Sequence, residues 1–305
     1  MSSHFIRTNG INLHYLDHPG RAPTLVLLPG LTVSAPIFDG LIQAGLSPRF
    51  HVLAPDLRGR GRSDAPPAGF DPAAPAANYT MADHAADVIG LFDALGIRDP
   101  VLVGHSFGGM LALYLAAHFP ERLPRIVVLD WAMAHETLAT RELLEPILAL
   151  LGLAMPSWEA YMAVTKYLLF FQGSWDPAME SYFRADLREN PDGSVQPRAR
   201  PDAIVAAVEG MLIEDWPAIL AKVRQPVLLL NAQGPYGLPG APPFLPRDQA
   251  MATVAALANG RFVAVSGNHI TMIYGEGARQ IVEAITAFLQ EGHEAIANDG
   301  PSVSA

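Results

Sequence analysis

Apolar residues in this chain fall into two alternating patterns. Short continuous runs, Thr24–Leu28, Phe50–Ala54, Val101–Val103, Ile126–Asp130, Val227–Asn231 and Arg261–Val265, read as strands, several of them buried on both faces. Between them lie stretches whose apolar residues recur at helical spacing. Met81, Ala85, Val88, Ile89, Phe92 and Leu95 share one helix face, with Thr80 and Asp83 as a capping box and Gly96 as the stop. Met110–Phe119 reads as a buried helix closed by Pro120, and a last helix is expected over Ala278–Leu289. At the start, Phe5–Thr8 and Ile11–Leu16 flank Asn9-Gly10, a strong hairpin signal because both residues tolerate positive φ.

From Trp131 to Asp215 the strand signals vanish. Leu143, Leu144, Ile147, Leu148 and Leu151 form one helical stripe, and Trp158, Tyr161, Met162, Tyr167, Leu168, Phe170 and Phe171 a second, aromatic one. Further helices are expected over Met179–Leu187 and Ala203–Ile213, with Asn190-Pro191-Asp192-Gly193 as a turn between them. The block reads as a helical insertion. The hairpin and alternating elements around it predict an α/β fold: a mostly parallel, eight-stranded sheet flanked by helices. The stretch from Pro66 to Ala77 reads as a loop, and Glu291–Ala305 as a flexible tail.

Bulk properties narrow the partners. The 305 residues carry a net charge of −10 with no basic run, which argues against nucleic acid and anionic membrane. There is no cysteine, so disulfides, thiol nucleophiles and cysteine metal sites are excluded. No signal-peptide core stands at the N-terminus and no apolar run reaches membrane-spanning length, so a cytoplasmic protein is expected. A homo-oligomer is left open.

The chemistry concentrates at Gly104-His105-Ser106-Phe107-Gly108, a Gly-x-Ser-x-Gly between strand and helix. Such a turn holds a serine hydroxyl out from the sheet and aims the next backbone N–H, from Phe107, toward developing negative charge. A plain glycine-rich turn is the alternative reading; the flanking strand and helix weigh against it. A serine needs a base. Of ten histidines, His269 stands between the last strand and the last helix, past a strand's carboxyl end like Ser106. The base in turn needs an acid. Asp130 ends the strand after the elbow helix, while Asp248 lies beside a later helix start, where an N-cap worth roughly 1 kcal/mol is the simpler role. Asp130 is favoured. Leu31, after Pro29-Gly30, is the second expected oxyanion donor.

With Pro29-Gly30, Asp56–Asp64, the elbow and Gly267-Asn268-His269 in hand, the chain resembles the α/β-hydrolase fold superfamily over nearly its whole length. The resemblance implies Ser106 as nucleophile, His269 as base, and residues 132–215 as a helical cap over a core of 1–131 and 216–290. It implies a structural role for the segment around Asp56. The chain departs from most relatives in having Pro29 where they have histidine, in Asn268 before the histidine, and in an acid after the earlier strand.

These features together predict a serine hydrolase cleaving a carboxylic ester, lactone or thioester through an acyl-enzyme, with no cofactor and no metal. The expected partner is a small molecule with an apolar or aromatic acyl part, in a pocket including Trp131, Trp158, Tyr161 and Phe170. Two alternatives stand beside it. Cofactor-free dioxygenases of heteroaromatic substrates share the early acid, but they carry a further histidine where this chain has Leu31-Thr32-Val33. The other is a non-catalytic small-ligand receptor on the same fold.

Overall fold

The apolar runs pair into one eight-stranded sheet in the order β1-β2-β4-β3-β5-β6-β9-β10. The strands are β1 (Ser2–Thr8), β2 (Ile11–His18), β3 (Thr24–Leu28), β4 (His51–Pro55), β5 (Val101–His105), β6 (Arg125–Leu129), β9 (Val227–Ala232) and β10 (Gly260–Val265). Only the pairs involving β2 are antiparallel; the rest run parallel. The computed structural model describes residues 1–68, 76–131, 141–168, 171, 175–238 and 240–298, without the side chains of 141–144, 146 and 292–298. Most of the expected loop at 66–77 therefore lies outside the described residues.

Helices cover both faces. They are α1 (Asp39–Gln43), α2 (Leu46–Arg49), α3 (Met81–Leu95), α4 (Phe107–His118), α5 (Arg141–Gly152), α6 (Trp158–Thr165), α7 (Pro177–Asp186), α8 (Pro201–Leu212), α9 (Trp216–Leu220), α10 (Arg247–Ala256) and α11 (Gly275–Asn298). Leu25 and Leu27 enter one core with residues of α1 and α11. Val26 and Leu28 enter the other, with residues of α3 and α4. This explains the unbroken apolar runs: a strand covered on both sides has no polar face to alternate with. Among the described residues no helix is long and apolar enough to cross a membrane.

The sheet's parallel strands end together at one rim, and β5 turns there into α4. Ser106 takes φ 54° and ψ −119° at this turn. A Cβ on Gly104 would lie 2.1 Å from the Gly108 carbonyl oxygen, and one on Gly108 would lie 2.0 Å from that of Leu28. Backbone therefore packs directly on backbone at both glycines. Asp56 ties down the neighbouring turns. Its buried carboxylate accepts hydrogen bonds from Ala35 N–H, Arg62 N–H and His14 Nδ1.

Two differences from the sequence reading concern short or terminal elements. The inserted stretch between β6 and β9 contains a hairpin of three-residue strands, β7 (Leu187–Glu189) and β8 (Val195–Pro197). Its turn is the Asn190–Gly193 turn read from the sequence, closed by Asn190 N–H on the Ser194 carbonyl. Three residues are too few to display a period, so the strands left no signal. At the C-terminus α11 runs on through Glu291 to Asn298, where a flexible tail was expected. Once nucleated by its packed first turns, a helix extends at little cost through Glu and Ala.

Among the described residues five histidines are buried, and two of them are pulled far below their ordinary value. Burial, helped by the nearby Arg60 guanidinium, holds His84 well below its ordinary value. Burial and the neighbouring His269 pull His105 down to about 3. Both rings are neutral in the folded protein, whereas the unfolded chain protonates them near 6.5. Their contribution to stability is thus complete above pH 6.5 and is lost as pH falls toward the folded value.

Two stability measurements follow from these contacts. The Thr80 hydroxyl accepts from Asp83 N–H while the Asp83 carboxylate accepts from Thr80 N–H. Thr80→Ala is expected to cost about 1 kcal/mol in urea denaturation. His105→Gln is expected to flatten the fall in stability between pH 6.5 and 4 relative to wild type; equal slopes in the two proteins would mean that His105 takes up its proton while folded.

Candidate active site

Three segments distant in sequence meet at the rim. His269 Nε2 lies 3.1 Å from Ser106 Oγ, and His269 Nδ1 lies 2.8 Å from Asp130 Oδ2. Asp130 is fully buried. Its other oxygen, Oδ1, accepts from Asn231 Nδ2 at 2.9 Å and from Ala232 N–H at 2.8 Å. An ionised carboxylate only accepts, so the ring's Nδ1 carries a proton toward Asp130 and Nε2 is left to accept from the serine hydroxyl. Asp130 itself takes φ 55°, a left-handed turn directly after β6 that follows the bond from its N–H to the Leu230 carbonyl.

The loop that carries His269 is held from several sides. Asn268 Oδ1 accepts from the backbone N–H of Ile270 and Thr271 and from the Thr271 hydroxyl. Asn268 N–H donates to that hydroxyl in return. This gives Asn268 the role the sequence did not disclose. His105 reaches across and donates its Nε2–H to the His269 carbonyl at 2.8 Å. The Phe244 ring stacks on the His269 imidazole at 3.7 Å, and Tyr236 meets it edge-on at 6.0 Å.

Leu31 and Phe107 line the same cavity as Ser106. Among the described residues neither backbone N–H has a hydrogen-bond acceptor. The Leu31 turn is braced from below. Arg60, buried and pulled down to about 9 by desolvation, donates from Nε to the Leu31 carbonyl at 2.9 Å and lies over the Phe107 ring.

The cavity has a volume of about 150 Å³ and an apolar wall. Trp131 lines it as expected, and the inserted stretch adds Ile147 and Met211. Tyr161 lines an adjoining chamber instead. Trp158 lines neither: it is half-buried at the edge of the core that holds Tyr161 and Phe183, with the Arg184 guanidinium over its ring at 4.1 Å. Phe170 lies outside the described residues. Asp248 is exposed in the first turn of α10, whose N-cap is Pro246, so it neither caps that helix nor faces His269. Sequence reasoning passed over Asn231 because it looked only for an acid there; a buried amide at the end of the neighbouring strand was the available signal. Among the described residues no cluster of three His, Asp or Glu could hold a metal.

Comparison with known proteins places this geometry in a family. Residues 23–158 match the family model for the alpha/beta hydrolase fold. The chain is 30% identical over 217 residues to the 2-(acetamidomethylene)succinate hydrolase of Mesorhizobium japonicum, covering 70% of this chain and 72% of that protein. Over 125 residues it is 34% identical to the N-formylmaleamate deformylase of Pseudomonas putida, which spans 41% of this chain and 43% of the relative. A crystal structure of an E-2-(acetamidomethylene)succinate hydrolase superposes with a TM-score of 0.76 at 25% identity, covering 94% of this chain and 100% of the other. With its eight-stranded sheet, its serine elbow and relatives that are hydrolases, the chain belongs to the α/β-hydrolase fold family.

Proposed function

We propose that the protein is a serine hydrolase that cleaves a carboxylic ester, lactone or thioester through an acyl-enzyme. The observation that carries this reading is the continuous chain Ser106 Oγ, His269, Asp130, with 3.1 Å and 2.8 Å at its two links. Ser106 attacks the carbonyl carbon as His269 Nε2 takes its proton. The resulting imidazolium is stabilised by Asp130, whose charge is itself held by Asn231 and Ala232. The oxyanion forms between Leu31 N–H and Phe107 N–H, each donor worth roughly 3 kcal/mol in the transition state. His269 then protonates the leaving group. In the second half-reaction it activates water, which releases the acid and restores the serine.

Names of relatives support hydrolysis at an acyl centre in general terms: one is a hydrolase of a succinate, another a deformylase. Their substrates are acids. In this chain the described lining of the catalytic cavity holds no lysine or arginine. We therefore assign an uncharged, apolar or aromatic reacting end. Residues 132–215 serve as a cap in this reading, since Ile147 and Met211 close the cavity over Ser106.

Hydrolysis of short and medium acyl p-nitrophenyl esters tests the assignment. Ser106→Ala is expected to lower kcat by roughly 10³-fold or more, and Asp130→Asn by about 10²–10⁴-fold. Asp248→Asn keeps the wild-type rate. A wild type that does not turn over any ester, or a Ser106→Ala variant that keeps its rate, would sink the proposal.

A further inference from the structure

A second chamber of about 240 Å³ adjoins the catalytic cavity, and the two share Thr32, Val33, Ile147, Tyr236 and Ile270. Its walls are mainly aromatic and aliphatic, but its far side is not. Asp186, at the last turn of α7, is buried there together with the hydroxyl-bearing side chains of Tyr161, Thr165, Tyr182 and Tyr274.

All of these groups can accept a hydrogen bond, and they are incompletely matched. Asp186 Oδ1 accepts from the Ser34 hydroxyl; Oδ2 has only the Tyr182 hydroxyl at 3.4 Å. Among the described residues no lysine, arginine or histidine forms an ion pair with Asp186. Arg198 is near enough to favour its charge, yet burial prevails and pushes the carboxyl up to about 6. Burial thus disfavours its charged form, which a cation placed against it in the chamber would restore. The Tyr274 hydroxyl is buried with no hydrogen-bond partner among the described residues, and the buried Thr165 Oγ1 faces only the Tyr161 hydroxyl. Burial, with a smaller contribution from Asp186, drives the phenols of Tyr161 and Tyr182 upward, and burial followed by Asp39, Asp176 and Asp186 does the same to Tyr274, so all three stay protonated.

A buried carboxylate, the unpaired Tyr274 hydroxyl and aromatic walls suit a cationic ligand. An ammonium group donates to the carboxylate and to a neighbouring hydroxyl oxygen, pairs with the charge and gains from the ring faces. A carboxylate ligand would be repelled, and a neutral hydroxyl would leave the charge unpaired. We propose that the second chamber is a subsite for a protonated primary amine carried at the far end of an aromatic or alkyl substrate whose reacting carbonyl sits at Ser106. The link to a reacting carbonyl rests on the serine-hydrolase reading; the amine site stands on the chamber alone.

Calorimetry on the full chain separates the two. The probes are 4-phenylbutylamine and its neutral counterpart 4-phenylbutan-1-ol at pH 7.5. The amine is expected to bind at least about tenfold more tightly than the alcohol, the scale of a hydrogen-bonded charge in a desolvated site. Asp186→Asn brings the two within about twofold of each other while leaving the alcohol's affinity in place, which also reports that the variant is folded. Tyr274→Phe weakens the amine alone. Equal affinity of the wild type for both probes, or an amine preference that survives Asp186→Asn, overturns the proposal. Labelling of Ser106 by a fluorophosphonate in the same preparations reports the nucleophile independently. A labelled serine with no amine preference rejects the subsite only, and an amine preference with an unlabelled serine rejects the hydrolase reading only.

Discussion

The whole site hangs on a close approach of three backbone segments. At Gly108 the first turn of α4 lies against the end of β3, and at Gly104 the end of β5 lies against that same turn; a Cβ at either position would overlap carbonyl oxygen. The contact forces the chain to reverse from strand to helix within one residue. Ser106 absorbs the reversal in a backbone conformation that non-glycine residues rarely occupy. Strain of this kind costs of order 1–3 kcal/mol and persists because β3, β5 and β6 are locked in register around it. In return, the serine hydroxyl faces the cavity while the Phe107 N–H, at the helix start, has no backbone acceptor to satisfy it.

The position of the acid follows from the same sheet. Leu129 of β6 pairs with Leu230 of β9, so Asp130, just past the end of β6, lies beside Asn231, which is still within β9. Either strand end is within reach of a histidine loop after β10. With Asp130 supplying the charge, Asn231 becomes a donor to it, held in turn by Gln233 and the Leu245 carbonyl. Exchanging which strand bears the carboxylate thus leaves one acceptor-only group facing the imidazole, and the neighbouring strand supplies an amide to support it. The fold constrains where charge sits more loosely than where the backbone turns.

That difference explains what could be read from sequence. The buried strands, the elbow and the histidine loop announce themselves because each needs a local pattern: an unbroken apolar run, glycines flanking a serine, or a turn between strand and helix. Asn9-Gly10 and the Thr80–Asp83 box are legible for the same reason. Roles set by long-range contact are not. Asn231 and Asn268 look like ordinary polar residues until Asp130 and Thr271 are beside them. The aromatic stripe after Trp158 was read as one surface, yet Trp158 packs under Arg184 while Tyr161, a turn further on, reaches a cavity. A helix of eight residues, α6, is too short for periodicity to say which flank is inside.

Buried polar atoms that lack a partner are uncommon in folded proteins, and leaving one so costs about 1–3 kcal/mol. Among the described side chains of this protein they are His105 Nδ1, Trp131 Nε1, Thr165 Oγ1 (which faces only the Tyr161 hydroxyl), Tyr274 Oη and Arg60 Nη2. The first two belong to residues that line the catalytic cavity, and the next two to residues that line the adjoining chamber. Arg60 lies directly beneath, bonded to the Leu31 turn. Elsewhere the core is matched: Asp56, Asp87 and Gln225 each find their donors or acceptors. A sequence able to satisfy those groups could have replaced a threonine or a tyrosine hydroxyl by an apolar group at small cost. The grouping of four of the five around two adjoining cavities is what a site for a ligand with both apolar and polar parts requires, because the missing partners then arrive with the ligand.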